Sequence, residues 1–166
     1  MRHWLALACI AISANGAVAA RSPTANRIDV QGKGSFMGDG DTEPRTGGDT
    51  IGSAALIPGL PYDDTGATCG YANDYDEVCP YTDSSSPDVV YQNFSPINDA
   101  LTVDLCASDY DTKVYIYAGG PGNLIACNDD AGCGYSGLQS LLQDVPPSAV
   151  VNYYIVIDGY GGACGG

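Results

Sequence analysis

Short runs of β-branched and aromatic residues, separated by turn-forming residues, limit this chain to an all-β fold. The clearest runs are Val114-Tyr115-Ile116-Tyr117 and Tyr153-Tyr154-Ile155-Val156-Ile157, and such side chains favour strands because they pack well on a pleated surface. Glycine, proline, asparagine and aspartate recur between the runs, and no segment shows a sustained helical apolar period. The pattern predicts an antiparallel β-sandwich.

Seven strands are predicted after residue 50. They cover residues 51–57, 89–94, 101–106, 113–118, 124–127, 138–142 and 153–158. Only the segment 137–145 has an alternative: it could form a short helix, which Pro146 and Pro147 would end.

The first twenty residues have the features of an export signal. Arg2 and His3 give a positive start, an apolar run follows over residues 4–12, and Ala17-Val18-Ala19 is a small-residue cleavage site. The apolar run is too short to span a bilayer. We therefore expect residues 1–20 to be a signal peptide and the protein to be secreted, without membrane insertion.

Loss of the signal peptide would remove side chains on which much enzyme chemistry depends. His3 is the only histidine and Trp4 the only tryptophan of the chain. Without an imidazole, a Ser-His-Asp or Cys-His centre and a His-ligated zinc are excluded. The sequence therefore predicts a protein that is not an enzyme. A fragment of a calcium-dependent hydrolase that uses paired carboxylates is the alternative.

The charge of the chain is strongly negative. Twenty acidic residues stand against six basic ones, a formal net charge of −14, which repels nucleic acid and anionic lipid. Residues 21–49 interleave glycine with charge and contain few apolar side chains, so burial cannot offset the entropy of ordering them. We expect a flexible Gly-rich linker over 21–49 and a folded domain over 50–166.

Six of the seven cysteines remain once Cys9 is lost with the signal peptide. An even number in an exported chain favours a disulfide framework over a thiolate metal site, for which no pair of closely spaced cysteines is present. Many pairings are compatible with six cysteines. Proximity along the chain favours Cys69–Cys79, Cys127–Cys133 and Cys106–Cys164.

Six segments in order over residues 48–165 carry a resemblance to a known family. They include Asp74-Tyr75-Asp76-Glu77-Val78-Cys79-Pro80 and Cys127-Asn128-Asp129-Asp130, and the others lie at residues 48–51, 86–91, 110–117 and 153–160. Together they resemble the bacterial pre-peptidase C-terminal (PPC) type of domain, and most closely the cysteine-containing variants found in secreted bacterial proteins.

The resemblance implies a jelly-roll-like β-sandwich that serves as an accessory module of a larger exported protein. Some members bind matrix protein or polysaccharide, and some bind calcium. The chain departs from the family where residues 149–152 replace a glycine-containing turn. It also lacks the last strand that the family carries after the turn at residues 159–162. We therefore expect an open sheet edge beside the central strand 153–158, and a truncated fragment is a further interpretation.

Acidic residues gather in the predicted loops and are candidate calcium ligands. Hard cations take about six to eight oxygens from carboxylates and backbone carbonyls, although aspartate is also an ordinary turn former. The candidates are Asp74, Asp76, Glu77, Asp109, Asp111, Asp129 and Asp130.

Asp111 immediately precedes a strand in which side chains should alternate between two faces. Val114 and Ile116 are expected to point inward, and Tyr115 and Tyr117 outward. The carboxylate of Asp111 could bind a cation, or it could cap the turn before the strand through backbone N–H groups.

Several tyrosines in predicted loops are candidates for a ligand surface. Aromatic faces beside carboxylates suit sugar rings or extended peptide, although tyrosine also packs at sandwich edges with its hydroxyl in water. The loop tyrosines are Tyr71, Tyr75, Tyr81, Tyr110, Tyr135 and Tyr160, and all of them except Tyr81 are selected as candidates. The sequence thus predicts a secreted, noncatalytic accessory or binding module for an extracellular protein or polysaccharide, with calcium as a candidate cofactor. A structural spacer or cell-surface repeat without a ligand is the alternative.

Overall fold

The computed structural model describes residues 26–30, 46–82, 84–93, 100–146 and 152–166. The expected signal peptide, residues 1–20, lies outside this part of the chain. Nine strands form two sheets among the described residues, and the all-β prediction is confirmed. The strands are β1 (Asn26–Val30), β2 (Ala55–Leu56), β3 (Tyr62–Asp64), β4 (Val89–Asn93), β5 (Leu101–Asp104), β6 (Thr112–Ala118), β7 (Leu124–Asn128), β8 (Leu141–Val145) and β9 (Tyr153–Gly159).

The two sheets are mixed, whereas the sequence predicted antiparallel pairing throughout. The first sheet has the order β3-β1-β5-β8 and the second the order β2-β4-β9-β6-β7. β1 runs parallel to β3 and β5, and β2 runs parallel to β4, while the other pairs are antiparallel. Parallel neighbours need long connections rather than hairpins, and such connections leave no turn signature beside the strand. The arrangement is compatible with a jelly-roll-like sandwich.

Apolar side chains from both sheets form the core between them. Val114 and Ile116 of β6 are fully buried there, as alternation predicted. Each such side chain contributes about 1.5–3 kcal/mol when it leaves water. The other buried members of the cluster are Ile28, Ile57, Val89, Tyr91, Leu101, Val103, Leu105, Leu142, Val145, Tyr153, Ile155 and Ile157.

A second apolar cluster lies on the outer face of the second sheet. Tyr115 and Tyr117 point to this face, as predicted, but they are buried rather than exposed. They pack with Val90 and Val156 beneath a long connection, residues 69–82 and 84–88, in which Tyr75 contacts the cluster. We call this connection the covering loop.

Strand β9 is central in its sheet, as predicted, but the expected open edge beside it is not present. β4 pairs along one edge of β9 and β6 along the other. The expectation rested on a family strand that would follow Gly166. In this chain β4 and β6, which both lie earlier in the sequence, occupy the two sides of β9.

Two parts of the expected linker 21–49 belong to the sandwich instead. β1 pairs with β3 and β5 and buries Ile28, and Gly48 exchanges backbone hydrogen bonds with Val90. The sequence did not reveal β1 because its two apolar residues, Ile28 and Val30, alternate with charged residues and glycines follow them. Segment 137–145 contains β8, so the helix alternative for it is wrong, and residues 51–53 form a 3-10 turn ahead of β2.

All six cysteines among the described residues form disulfides, as predicted, but all three predicted pairings are wrong. The observed Cα–Cα distances are 5.1, 5.9 and 5.4 Å for Cys69–Cys164, Cys79–Cys127 and Cys106–Cys133. Proximity in sequence gave the wrong pairings because the sheets bring together cysteines that are far apart in the chain. The amide of Thr68, for example, donates to the carbonyl of Gly165 at 2.8 Å, which places the neighbouring cysteines side by side.

Candidate functional site

Three of the predicted acidic ligands meet at one end of the second sheet. β6 and β7 are antiparallel, with Val114 opposite Asn128, so the residues before β6 and those after β7 lie at the same edge. Asp111 immediately precedes β6, and Asp129 and Asp130 immediately follow β7. One carboxylate oxygen from each lies within 4.8 Å of the others. We call these three residues the carboxylate cluster.

The backbone around the carboxylate cluster is held by Ser140, just before β8. Ser140 is fully buried, and its Oγ lies within hydrogen-bond distance of the carbonyls of Thr112 and Asp129. Its amide donates to Oγ1 of Thr112 at 2.7 Å. The residue after Asp111 is therefore fixed to the backbone of Asp129, and the cluster is preorganised.

In the carboxylate cluster, burial and mutual repulsion disfavour the charged form of Asp111 and of Asp129. The Asp129 side chain is 5 % exposed, and Oδ1 of Asp129 and Oδ1 of Asp111 are buried without a hydrogen-bond partner. Burial raises the pKa of Asp129 to about 6, and the charges of Asp130 and Asp111 add to this. Burial and the charge of Asp130 also raise the pKa of Asp111. Because Oδ1 of Asp111 accepts no backbone amide, the structure does not support the alternative, in which Asp111 caps the turn before β6.

The other predicted calcium ligands lie apart from the carboxylate cluster. Asp76 accepts a hydrogen bond from Lys113, and Glu77 accepts one from the hydroxyl of Tyr117 at 2.8 Å. The remaining two are Asp74, whose backbone amide donates to the buried Asp88, and Asp109, which accepts the amide of Gly166. Among the described residues, only the carboxylate cluster groups three such side chains.

An open cleft of about 450 Å³ adjoins the carboxylate cluster. It lies between the covering loop and the end of β7, and Asp129 and Asp130 belong both to its lining and to the cluster. The other lining residues are Val78, Cys79, Pro80, Tyr81, Cys127 and Asn128.

The covering loop forms one wall of the cleft, and a disulfide and hydrogen bonds from Lys113 fix this wall to the second sheet. The disulfide Cys79–Cys127 joins it to β7. The buried ammonium group of Lys113 donates to the carbonyl of Glu77 at 2.6 Å and to that of Tyr81 at 2.8 Å. The segment between these carbonyls is therefore fixed at both ends.

Two apolar side chains of the cleft nevertheless face water. Val78 is 67 % exposed and Tyr81 is 59 % exposed. The ring of Tyr81 lies 6.1 Å from that of Tyr160, at an interplanar angle of 58°, so Tyr160 supports it from the side. Tyr81 was among the loop tyrosines that the sequence pointed to, whereas Val78 was not predicted as a ligand residue. The sequence signal for Val78 was the adjacent Cys79, which could have been used only once the partner of Cys79 was known.

The other tyrosines predicted for a ligand surface have different positions. Tyr110 is buried. Tyr75 is half-buried and accepts the amide of Ile51 through its hydroxyl at 2.8 Å, and the half-buried Tyr71 donates to the carbonyl of Thr46 at 3.3 Å. These three residues pack inside the fold. Tyr135 is 99 % exposed but does not line the cleft.

A further pair of aspartates lies beneath the covering loop. Asp158 accepts hydrogen bonds from the hydroxyl of Tyr115 and from Oγ of Ser84 at 2.7 Å. Oδ2 of Asp88 accepts the amides of Asp74 and Tyr75 at 2.8 and 3.0 Å. Both carboxyl groups are fully buried. They hold the loop on the sheet and do not line the cleft.

Comparisons with known proteins give no family for this chain. No family model matches it, and neither the curated proteins nor the solved structures include a significant match. The three disulfides indicate an oxidising, extracellular setting. Within the described residues, no helix has the length and apolar character needed to cross a membrane.

Proposed function

We propose that the chain is a noncatalytic binding module of the extracellular space and that the cleft is its ligand-contacting surface. One observation carries the proposal: an exposed apolar wall, with Val78 and Tyr81, is fixed by a disulfide and by the buried Lys113. Exposed side chains on a fixed backbone lose little conformational entropy when a ligand arrives. A wall of this kind favours binding over a role as a passive spacer.

The lining of the cleft indicates the chemistry of the ligand. Tyr81 and Val78 offer an apolar face, and Asp129 and Asp130 offer oxygens that accept hydrogen bonds. A sugar ring or an extended peptide has both an apolar face and hydroxyl or amide donors. The ligand we propose is therefore an extracellular polysaccharide or protein. The net charge of −14 disfavours nucleic acid.

The sequence supports the same proposal. The resemblance to the PPC type of domain implies an accessory role in a larger exported protein, and residues 1–20 have the pattern of a signal peptide. We include PPC membership and export through this segment in the proposal. The described residues contain no histidine, and the buried pair Asp88 and Asp158 does not line the cleft, which supports a noncatalytic role.

Binding of the full chain to arrays of polysaccharides and extracellular proteins tests the proposal. We expect one ligand class to bind, and Tyr81→Ala to weaken that binding by about tenfold or more because exposed aromatic anchors dominate such interfaces. Tyr135→Ala is the matched control, since Tyr135 is exposed outside the cleft. Equal losses in both variants would place the binding surface elsewhere, and a chain that binds no probe would favour the spacer.

A further inference from the structure

Two oxygens of the carboxylate cluster lack the partners that buried charged groups require. Oδ1 of Asp129 and Oδ1 of Asp111 are buried and accept no hydrogen bond from any described residue. Asp129 is almost entirely shielded from water, and one of its carboxylate oxygens lies within 4.8 Å of an oxygen from Asp111 and of one from Asp130. Buried carboxylates are normally paired or bound to a metal.

The basic residues of the described chain do not neutralise the carboxylate cluster. Lys113 is close enough to lower the pKa of Asp129, but its ammonium group is bonded to Asp76 and to two carbonyls of the covering loop. Arg27, the other basic residue among those described, lies on β1 in the first sheet. Among the described residues, the ion pair of Lys113 is with Asp76, and none is formed with the three carboxylates of the cluster.

We propose that Asp111, Asp129 and Asp130 form a binding site for a divalent metal ion, and that this ion is calcium. All three donors are carboxylate oxygens, which hard cations prefer. Oxygens within 4.8 Å of one another are close enough to bind one ion, and calcium accepts an irregular set of ligands whereas magnesium demands near-ideal octahedral geometry. Zinc and copper favour imidazole or thiolate ligands, and every described cysteine is in a disulfide.

The position of the carboxylate cluster determines what the ion would do. It would join the start of β6 to the loop that follows β7, adding to the contact already made by Ser140. Asp130 is exposed and lines the cleft, so water can complete the coordination from that side. The ion would also reduce the negative charge at one end of the cleft. This inference goes beyond the proposed function, because the ion binds whether or not the cleft has a ligand.

Isothermal titration of the EDTA-treated full chain with calcium chloride tests the site. We expect one calcium ion per chain, a higher melting temperature with calcium, and a smaller rise with magnesium. Asp129→Asn should weaken calcium binding by about tenfold or more, since the loss of even a group behind a metal ligand costs about 10–100-fold. Asp130→Asn, at an exposed position that does not endanger folding, should also weaken it.

Asp63→Asn is the matched control, because it removes the same charge from an exposed position on β3 in the other sheet. The site is wrong if the chain binds no calcium, or if Asp63→Asn weakens binding as much as Asp129→Asn. Equal melting shifts with sodium chloride at the same ionic strength would reduce the effect to screening and also overturn it. Tyr81→Ala should retain calcium binding, so failure of the metal site and failure of the ligand cleft are distinguishable.

Discussion

The ammonium group of Lys113 donates a hydrogen bond to the backbone carbonyl of Tyr81 at 2.8 Å. The same group reaches the carbonyl of Glu77 at 2.6 Å and the carboxylate of Asp76 at 3.2 Å. Lys113 lies fully buried on β6. One side chain of the second sheet therefore fixes the part of the covering loop that forms a wall of the cleft.

Replacing Lys113 with methionine should destabilise the fold because it leaves two loop carbonyls without their donor. We expect Lys113→Met to lower the free energy of unfolding by about 2–4 kcal/mol, measured by urea denaturation. Asp76→Asn is the control: it removes the partly exposed negative charge of the ion pair and keeps both carbonyl contacts of Lys113, so it should cost less than about 1 kcal/mol. Similar losses in both variants would mean that the carbonyl contacts contribute little.

Strand positions were predictable from sequence where burial and strand propensity agree, and not elsewhere. The runs around Val114 and Ile155 were assigned correctly because β-branched and aromatic residues mark them. β1 and β3 were missed because their few apolar or aromatic residues, Ile28 and Val30 in β1 and Tyr62 in β3, are flanked by polar or turn-forming residues. The sequence correctly predicted that Tyr115 and Tyr117 point to the outer face of their sheet. Their burial was not predictable, because it depends on the covering loop, which lies far away in the sequence.

The disulfides should differ in their contribution to stability according to the length of chain that they close. The sequence separations are 95 for Cys69–Cys164, 48 for Cys79–Cys127 and 27 for Cys106–Cys133. Loop-closure entropy gives about 4.7, 4.1 and 3.6 kcal/mol in that order.

Paired serine substitutions, compared by thermal unfolding, should follow this order. Peptide mapping of the non-reduced chain should recover the three linked peptides. A linked Cys69–Cys79 peptide would contradict the observed pairing, and a reversed order of stability would show that native-state contacts outweigh loop entropy.

Substitution of two glycines in the loop after the carboxylate cluster would distinguish the cost of backbone strain from the cost of a steric clash. Gly132 and Gly134 both have left-handed backbones, with φ of 68° and 69°. A Cβ on Gly132 would meet nothing within 4 Å, but one on Gly134 would lie 2.4 Å from the carbonyl oxygen of Cys106 and 2.5 Å from the Gln139 amide oxygen. The first substitution therefore adds strain alone, and the second adds a clash.

We expect Gly132→Ala to cost about 1 kcal/mol, the strain of a left-handed residue, and Gly134→Ala to cost about 1–3 kcal/mol more. Chemical denaturation of both variants measures the difference. Equal costs would show that the loop near Gly134 shifts freely to accept a methyl group.

The carboxylate cluster was only partly predictable. Acidic residues in loops identified Asp111, Asp129 and Asp130 as candidates, together with four others that the fold places elsewhere. What selects the three is the antiparallel register of β6 and β7 and the buried Ser140, and neither can be derived from the positions of aspartates in the sequence. The cleft was missed for the same reason, since Cys79 and Cys127 meet only in the folded chain.

Asp88 provides a test of pH dependence away from the carboxylate cluster. Burial raises its pKa from 3.8 to about 7, although hydrogen bonds from the amides of Tyr75 and Asp74 act in the opposite direction and the charges of Asp158 and Asp74 add to the rise. The folded chain thus keeps this proton up to about pH 7, whereas the unfolded chain loses it near pH 4. Between these values only the unfolded state ionises, so the free energy of unfolding falls as the pH rises.

Asp88→Asn should remove this part of the pH dependence, because the amide cannot ionise and its oxygen can still accept the two backbone amides. We expect the variant to gain stability relative to the unsubstituted chain between about pH 4 and pH 7, with no further gain above that. Urea denaturation in EDTA at several pH values measures the difference. Part of the slope should remain in the variant, since burial also raises the pKa of Asp158 to about 6. For Asp63→Asn, at an exposed position, the free energy of unfolding should depend on pH as it does in the unsubstituted chain. If Asp88→Asn shows the same pH dependence as well, the carboxyl group of Asp88 is already ionised in the folded protein at acidic pH, and the covering loop must hold it as a charged acceptor.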